Sequence, residues 1–360
     1  MIQELNKIID YYGRECIQGY YSVLLISLGR RLGIFDYLLK KEKSDGVNGK
    51  TQIIIFSPDI IANDLKLDPI FLDAWFHIAL ELGIFNVSQE KNGYLETAPY
   101  IYELFVDTDS SFYLGNLYGW VYKNAVLQNL IFESFKTGRI IERLDGAVCE
   151  ASSRDGQKLS TIKNIARLRL FSKNFKNYHQ KLRNGGQILE IGCGIGINLQ
   201  IWVEKYKNTN FVAIDPNPTV ISIIKELIKI NNWQNQVEVV NCNVREYLLR
   251  DEDNKFDVIL LNEVLHEIRG DDIYRKDFID EIYKLLKDDG VLVMGEEMVP
   301  NTFEVEKVKT LGKGILKWDE VFFGARHYNE KSFKQFIKST KFKNARIFKD
   351  NINCIWALTK

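Results

Sequence analysis

The chain of 360 residues is 46% hydrophobic, enough for about two domains with packed cores. Its 48 basic residues balance 48 acidic ones, which excludes a global field that would draw nucleic acid or an anionic membrane surface. No window approaches the ~20 apolar residues of a membrane span, and MIQELNKIIDYY lacks the basic start and cleavage site of a signal peptide, so a cytoplasmic protein with a small-molecule partner is expected.

In chain order, Tyr20 to Leu39 carries apolar residues at helical spacing, broken by Gly29 and Gly33, and a polar insert follows from Lys40 to Lys50. Ser57-Pro58 and Asp68-Pro69 each read as a helix start, a side-chain acceptor followed by proline. The second of these helices carries Leu72, Trp75, Phe76, Ala79, Leu80 and Leu82 on an apolar face. IFNV and YLET, around a polar turn at Gln89 to Gly93, predict a hairpin. Helix, turn, helix and hairpin make a winged helix. A helix that reads DNA presents basic side chains, yet Asp68 to Phe85 contains no lysine or arginine and carries Asp73 and Glu81. Pairing with a second subunit is the expected role, with Phe112, Tyr113, Tyr118, Trp120 and Tyr122 as interface or core.

The pattern loosens from Glu133 to Gly156, where a domain junction is expected. A helical run from Leu159 to Leu182 follows, whose Leu168, Phe171 and Phe175 are expected to line the mouth of a ligand site. Gln187 to Ile191 is then a short apolar strand that carries Glu190 and runs into Gly192, Gly194 and Gly196, with a helix from about Asn198. Glycines at such a junction let the backbone approach a ligand, and the helix turns its free N–H groups toward it. Strands follow at Phe211 to Asp215, Val237 to Asn243, Phe256 to Asn262 and Val291 to Glu296, with helices over Pro218 to Ile230 and Tyr274 to Leu286. This alternation predicts an α/β fold, a parallel, doubly wound, Rossmann-like sheet that binds its ligand at the carboxyl ends of the strands. Those ends hold Glu190, the glycines, Asp215, Asn243, Asn262 with His266, and Glu296. The five cysteines, Cys16, Cys149, Cys193, Cys242 and Cys354, are scattered without a CxxC, so neither a disulfide framework nor a zinc site is indicated.

Dinucleotides and S-adenosylmethionine both suit a glycine turn with a later acid. The dinucleotide spacing is G-x-G-x-x-G, whereas here it is G-x-G-x-G, preceded by Glu190. A carboxylate repels a pyrophosphate and favours a sulfonium and an ammonium, so the expected cofactor is S-adenosylmethionine.

At these residues the chain resembles a class I S-adenosylmethionine-dependent methyltransferase, and more narrowly the two-domain small-molecule O-methyltransferases of plants and bacteria. The resemblance rests on LGIFDYL, SPDIIANDLKLDP, ILEIGCGIG, AIDPNP, NEVLHEI and GEEMVP, and it spans nearly the whole chain. It implies a winged-helix-like dimerisation domain over residues 1–105, a helical, substrate-lining linker over 106–182, and a cofactor-binding domain over 183–360, assembled as a homodimer. It further implies that Gly192 and Gly194 pass under the methionine part of the cofactor, that Asp215 binds the ribose hydroxyls, and that Asn243 and Val244 flank the adenine. Asn262 joins the cofactor contacts, His266 is the general base, and Glu296 orients it.

Histidine suits that task, since its ordinary pKa of about 6.5 lets it take a proton from a hydroxyl at neutral pH. Of the other histidines, His77 and His179 read as structural. The chain departs from the resembled plant enzymes at GARHYNEKSF: the glutamate that supports the base is missing there, and Arg326 and His327 stand in its place. Three functions stay open. The first is O-methylation with His266 as base. The second is metal-assisted C-methylation of a 2-oxo acid, with His266 and His327 on a divalent ion, or with Arg326 gripping an acceptor carboxylate. The third is a non-enzymatic, cofactor-binding winged-helix regulator. The later lysines, Lys331 to Lys349, read as a solvated helix face.

Overall fold

The computed structural model describes residues 2–45, 53–142, 154–250, 255–301, 313–342, 344–350 and 354–360. Cys149, much of the Glu133 to Gly156 stretch and residues 46–50 of the polar insert lie outside these residues. The chain folds as two units, Met1–Leu127 with Gly146–Gly156, and Gln128–Asp145 with Gln157–Lys360. Residues 106–127 thus belong with the first unit and 157–182 with the second. No helix among the described residues is long and apolar enough to cross a membrane.

In the first unit, helices Ile2–Asp10 and Cys16–Arg31 are joined by a π turn, Tyr11–Glu15, and a third helix runs over Ile34–Asp45. Only Gly33, at φ +78°, breaks the Tyr20 to Leu39 pattern. Gly29 lies inside a helix, where a Cβ would come within 2.6 Å of the Trp75 ring, so its smallness admits that contact. The expected helix starts are present: Ser57 caps Pro58–Leu65, and Asp68 accepts from the amides of Ile70 and Phe71 ahead of Pro69–Glu81. The second helix buries Leu72, Trp75, Phe76 and Ala79, each large side chain contributing about 1.5–3 kcal/mol. Strands β2 (Phe85–Val87) and β3 (Leu95–Thr97) form the hairpin, and a short β1 (Ile55–Phe56), unforeseen in the sequence, pairs with β3. Phe56, Phe76 and Phe85 pack edge-on and tilted between sheet and helix.

The second unit is built on seven strands: β4 (Gln187–Ile191), β5 (Asn210–Asp215), β6 (Val237–Asn241), β7 (Phe256–Asn262), β8 (Leu286–Gly295), β9 (Asn344–Lys349) and β10 (Cys354–Thr359). Their order is β6-β5-β4-β7-β8-β10-β9. The first five strands are parallel as expected, and β10 runs antiparallel to both β8 and β9. Both faces are covered: Leu189 and Ile191 of β4 point into one apolar core and Ile188 into another, as a buried parallel sheet requires.

A solvated helix face over all of Lys331 to Lys349 is not what forms. A helix, Glu330–Lys338, buries Phe333, Phe336 and Ile337, and the chain then turns into β9. The lysines are spaced to cover an amphipathic helix and an edge strand alike, so charge alone could not separate them. At the starting edge of the sheet, buried Asp257 accepts from the Gln187 amide and pairs with Lys181 and Lys287. Burial would raise its pKa, but these cations and the amide hold it below the usual carboxylate value.

Candidate active site

The glycine turn and Asp215 are brought together. Gly192 and Cys193 donate their amides to the Ile214 carbonyl at 2.9 and 3.2 Å, and Gly194 donates to Asp215 Oδ2 at 3.0 Å. Gly192 and Gly194 have φ of +68° and +51°, and a Cβ on Gly192 would lie 2.6 Å from Val264. Only glycine meets both conditions without strain. Glu190 is 3% exposed; its Oε1 accepts from Asn198 at 2.9 Å, while Oε2 has no hydrogen-bond partner. Burial first, and then the neighbouring Asp215, push its pKa up to about 8. Gln157, which carries no motif in the sequence, accepts from the Ile195 amide at 2.7 Å beside the turn. Asn243 caps the helix Val244–Arg250 through Glu246. The Val244 side chain is 2% exposed and packs in the core, which leaves its backbone as the part able to face a base.

The other end of the crevice is a carboxylate cage around His266. At the end of β7, Glu263 takes a left-handed φ of +54°, and the turn Leu265–Glu267 follows. Glu296, just past β8, holds this turn with both oxygens. Oε1 accepts from the amides of Val264 and Leu265 at 3.0 and 2.6 Å, and Oε2 meets His266 Nδ1 at 2.7 Å. His266 and Glu296 are each 3% exposed. Glu320, from the helix Lys313–Val321, lies 3.6 Å from His266 Nε2, an ion-pair distance rather than a hydrogen bond. The expectation that no supporting glutamate exists is therefore corrected. The loop lacks one, but the preceding helix supplies it; a glutamate in an amphipathic helix reads in sequence as solvent face. Burial would lower the pKa of His266, but Glu296, Glu320 and Glu263 raise it well above its ordinary value.

His327 stacks on His266 with centroids 4.6 Å apart and planes 23° apart, and neither of its ring nitrogens has a hydrogen-bond partner. Burial first, and then the His266 cation, lower its pKa to about 4. Near-parallel stacking sends the two rings' lone pairs side by side rather than toward one point. The groups whose ligand atoms do lie within 4.8 Å of one another are Glu263, His266 and Glu296, and His266, Glu267 and Glu320. Arg326 donates its backbone amide to the His266 carbonyl at 2.9 Å, but its side chain is exposed.

Behind the cage, Arg167 of the helix Thr161–Asn174 is 3% exposed and is ion-paired to Glu263, with Glu297 at 4.0 Å and Lys163 on Glu297 at 2.7 Å. Burial would raise the pKa of Glu263, but Arg167, His266 and Lys163 hold it below the usual value. Asn262 is half-buried beside Gly295. Phe171 and Phe175, on the same helical run as Arg167, do not line the site. They are 0% and 5% exposed, stack on each other and pack in the core against Trp202 and Phe348, because that face of the helix covers the sheet.

Residues 189–292, which hold both ends of this crevice, match the family model for a methyltransferase domain. Those residues therefore carry a methyltransferase domain. No curated protein matches this chain in sequence. Solved structures share its fold at low identity. Human N-acetylserotonin methyltransferase, solved with S-adenosylmethionine, is 12% identical with a TM-score of 0.70, covering 99% of this chain and 97% of its own. A mitomycin 7-O-methyltransferase is 14% identical at 0.72, covering 99% and 98%. A dimethyltransferase acting on 8-amino-8-demethyl-D-riboflavin, from Streptomyces davawensis, is 14% identical at 0.66, covering 100% and 99%. One of these names carries an O-methylation and another an N,N-dimethylation, so the shared fold does not fix an acceptor atom.

The residues at the glycine turn fit S-adenosylmethionine. A buried acid with an unpartnered oxygen, a turn of left-handed glycines and a carboxylate after β5 match a cation, a closely approaching chain and a pair of hydroxyls, respectively.

Proposed function

We propose that the chain moves a methyl group from S-adenosylmethionine to a hydroxyl of an uncharged small molecule, with His266 as general base. The observation that carries this reading is the 2.7 Å contact between His266 Nδ1 and Glu296, on a turn whose amides the same carboxylate holds. When bound, the cofactor supplies a methyl group on a sulfonium, already activated for displacement. Glu190 faces its cationic part, Asp215 its ribose, and Gly192 and Gly194 give it room. Glu296 keeps the proton on Nδ1 and leaves Nε2 to take the acceptor's proton; Glu296 and Glu320 then stabilise the imidazolium.

The charge around His266 selects the acceptor. Glu263, Glu267, Glu296, Glu297 and Glu320 surround it, against Arg167 and Lys163. An anionic acceptor would be repelled, which argues against a carboxylate gripped by the exposed Arg326. It argues equally against a 2-oxo acid acceptor, and the near-parallel rings of His266 and His327 do not converge on one ion, so full activity in a chelator is expected. The test is methyl transfer from labelled S-adenosylmethionine into a panel of neutral and anionic hydroxy compounds. His266→Ala should lower kcat by about 10²–10⁴ while S-adenosylhomocysteine still binds; a mutant at full rate sinks the assignment. Because the pKa of His266 is raised, the rate should climb with pH above neutrality as the ring loses its proton.

We also assign a homodimer to the N-terminal unit. Leu5, Ile8, Ile9, Tyr12, Ile17 and Tyr20 are each about half exposed or more along Ile2–Arg31, an apolar surface of the kind a partner covers. Light scattering should find a dimer, and Ile9→Glu with Tyr12→Glu should yield monomers. A cytoplasmic setting belongs to the same reading, supported by the free thiols of Cys16, Cys193, Cys242 and Cys354.

A further inference from the structure

A cavity of about 720 Å³ opens at the starting edge of the sheet, between the helix Lys176–Arg183 and the turn that leads into β5, away from the glycine turn and the His266 cage. Lys176, Arg183, Lys205 and Lys207 line it, and no acidic residue does. Among the described residues none of the four makes an ion pair, although Lys181 on the same helix is paired with both Asp257 and Asp289. The chain is neutral as a whole, so this local excess does not follow from a basic composition. Half-buried His179 reports it: its Nδ1 lies 2.9 Å from the Tyr206 hydroxyl, and burial first, then Lys205 and Arg183, lower its pKa.

Four cations around one concavity repel each other, and a counter-ion that fills the cavity relieves that repulsion. The volume is that of a small-ligand site, which spans about 300–1,000 Å³. Gln180 and Asn184 add amide donors, while no exposed aromatic ring lines the cavity to stack a base, so the charges rather than a nucleobase would be recognised. We propose that this cavity is an anion site for a small molecule carrying two or more phosphate groups.

The test uses the full chain, with inorganic pyrophosphate and metal-free ATP as probes, followed by calorimetry and by the His179 ring resonances. Both probes should bind at one site, weaken with added salt and shift the titration of His179 upward. Lys176→Glu with Lys207→Glu, both at exposed positions, should weaken binding by roughly tenfold or more, with circular dichroism confirming that the variant is folded. Absence of binding at millimolar pyrophosphate in low salt, or binding that the double variant leaves unchanged, overturns the proposal. So does a single-stranded oligonucleotide that binds more tightly than ATP and gains affinity with length, since that is the behaviour of a nucleic-acid surface.

Discussion

Around the glycine turn, Glu190, Gly192, Gly194 and Asp215 come from one strand–helix–strand unit and meet largely through backbone amides. The His266 ring, by contrast, is held by side chains and a loop from three later elements, Glu296, Glu320 and the Arg326–His327 segment, with Arg167 reaching in from an earlier helix. The glycine end is therefore a shape written into the backbone, and the His266 end is a balance of charges. A backbone cradle tolerates side-chain change but not loss of glycine. A charge cage tolerates little change in charge and depends on every partner.

Three experiments sharpen that contrast. The largest effect is expected at Arg167→Met, which leaves half-buried Glu263 without its main cation; breaking a fully buried pair costs about 3–5 kcal/mol, and the exposure of Glu263 puts this pair below that range. Calorimetry should find a clearly lower Tm, and an unchanged Tm would mean that the cage relaxes as freely as a surface. Glu296→Gln comes next. It removes the charge that raises the pKa of His266 and weakens the hold on two amides, so kcat should fall about 10²-fold or more, and the rising limb of the pH–rate profile should move to lower pH. A profile that stays in place would show that Glu296 does not set the proton affinity of the ring.

The smallest effect lies at the glycine end. Glu190 has a raised pKa, so below about 8 the empty site holds a proton that must leave when the carboxyl faces a cation. Affinity for S-adenosylmethionine should therefore rise with pH, by up to about tenfold per unit below that value, and level off above it. Calorimetry at neutral pH in buffers of different ionisation enthalpy should detect the released proton, and Glu190→Gln should abolish the release. Equal release in the variant would assign the proton to another group.

The pairing of His266 with Glu296 was implied only by the family resemblance, whereas the parallel strands, the helix starts at Ser57 and Asp68, and the glycine turn with Asp215 were legible in the chain alone. Each is written locally, as a period of apolar residues, a cap beside a proline, or an acid or base at a strand end, and a strand end is placed once its neighbours in the sheet are known. The rest waited on how the elements dock. β9 and β10 carry no period that separates them from a lysine-rich helix and a tail, so only the pairing of β10 with β8, and of β9 with β10, reveals them. Phe171 and Phe175 fit a ligand mouth or a core equally well until their helix is set against the sheet. Glu320 and Arg167 look like ordinary charged helix positions, and what makes them part of the site is the buried space that packing closes around His266, where an unpaired charge is costly and a partner must be found.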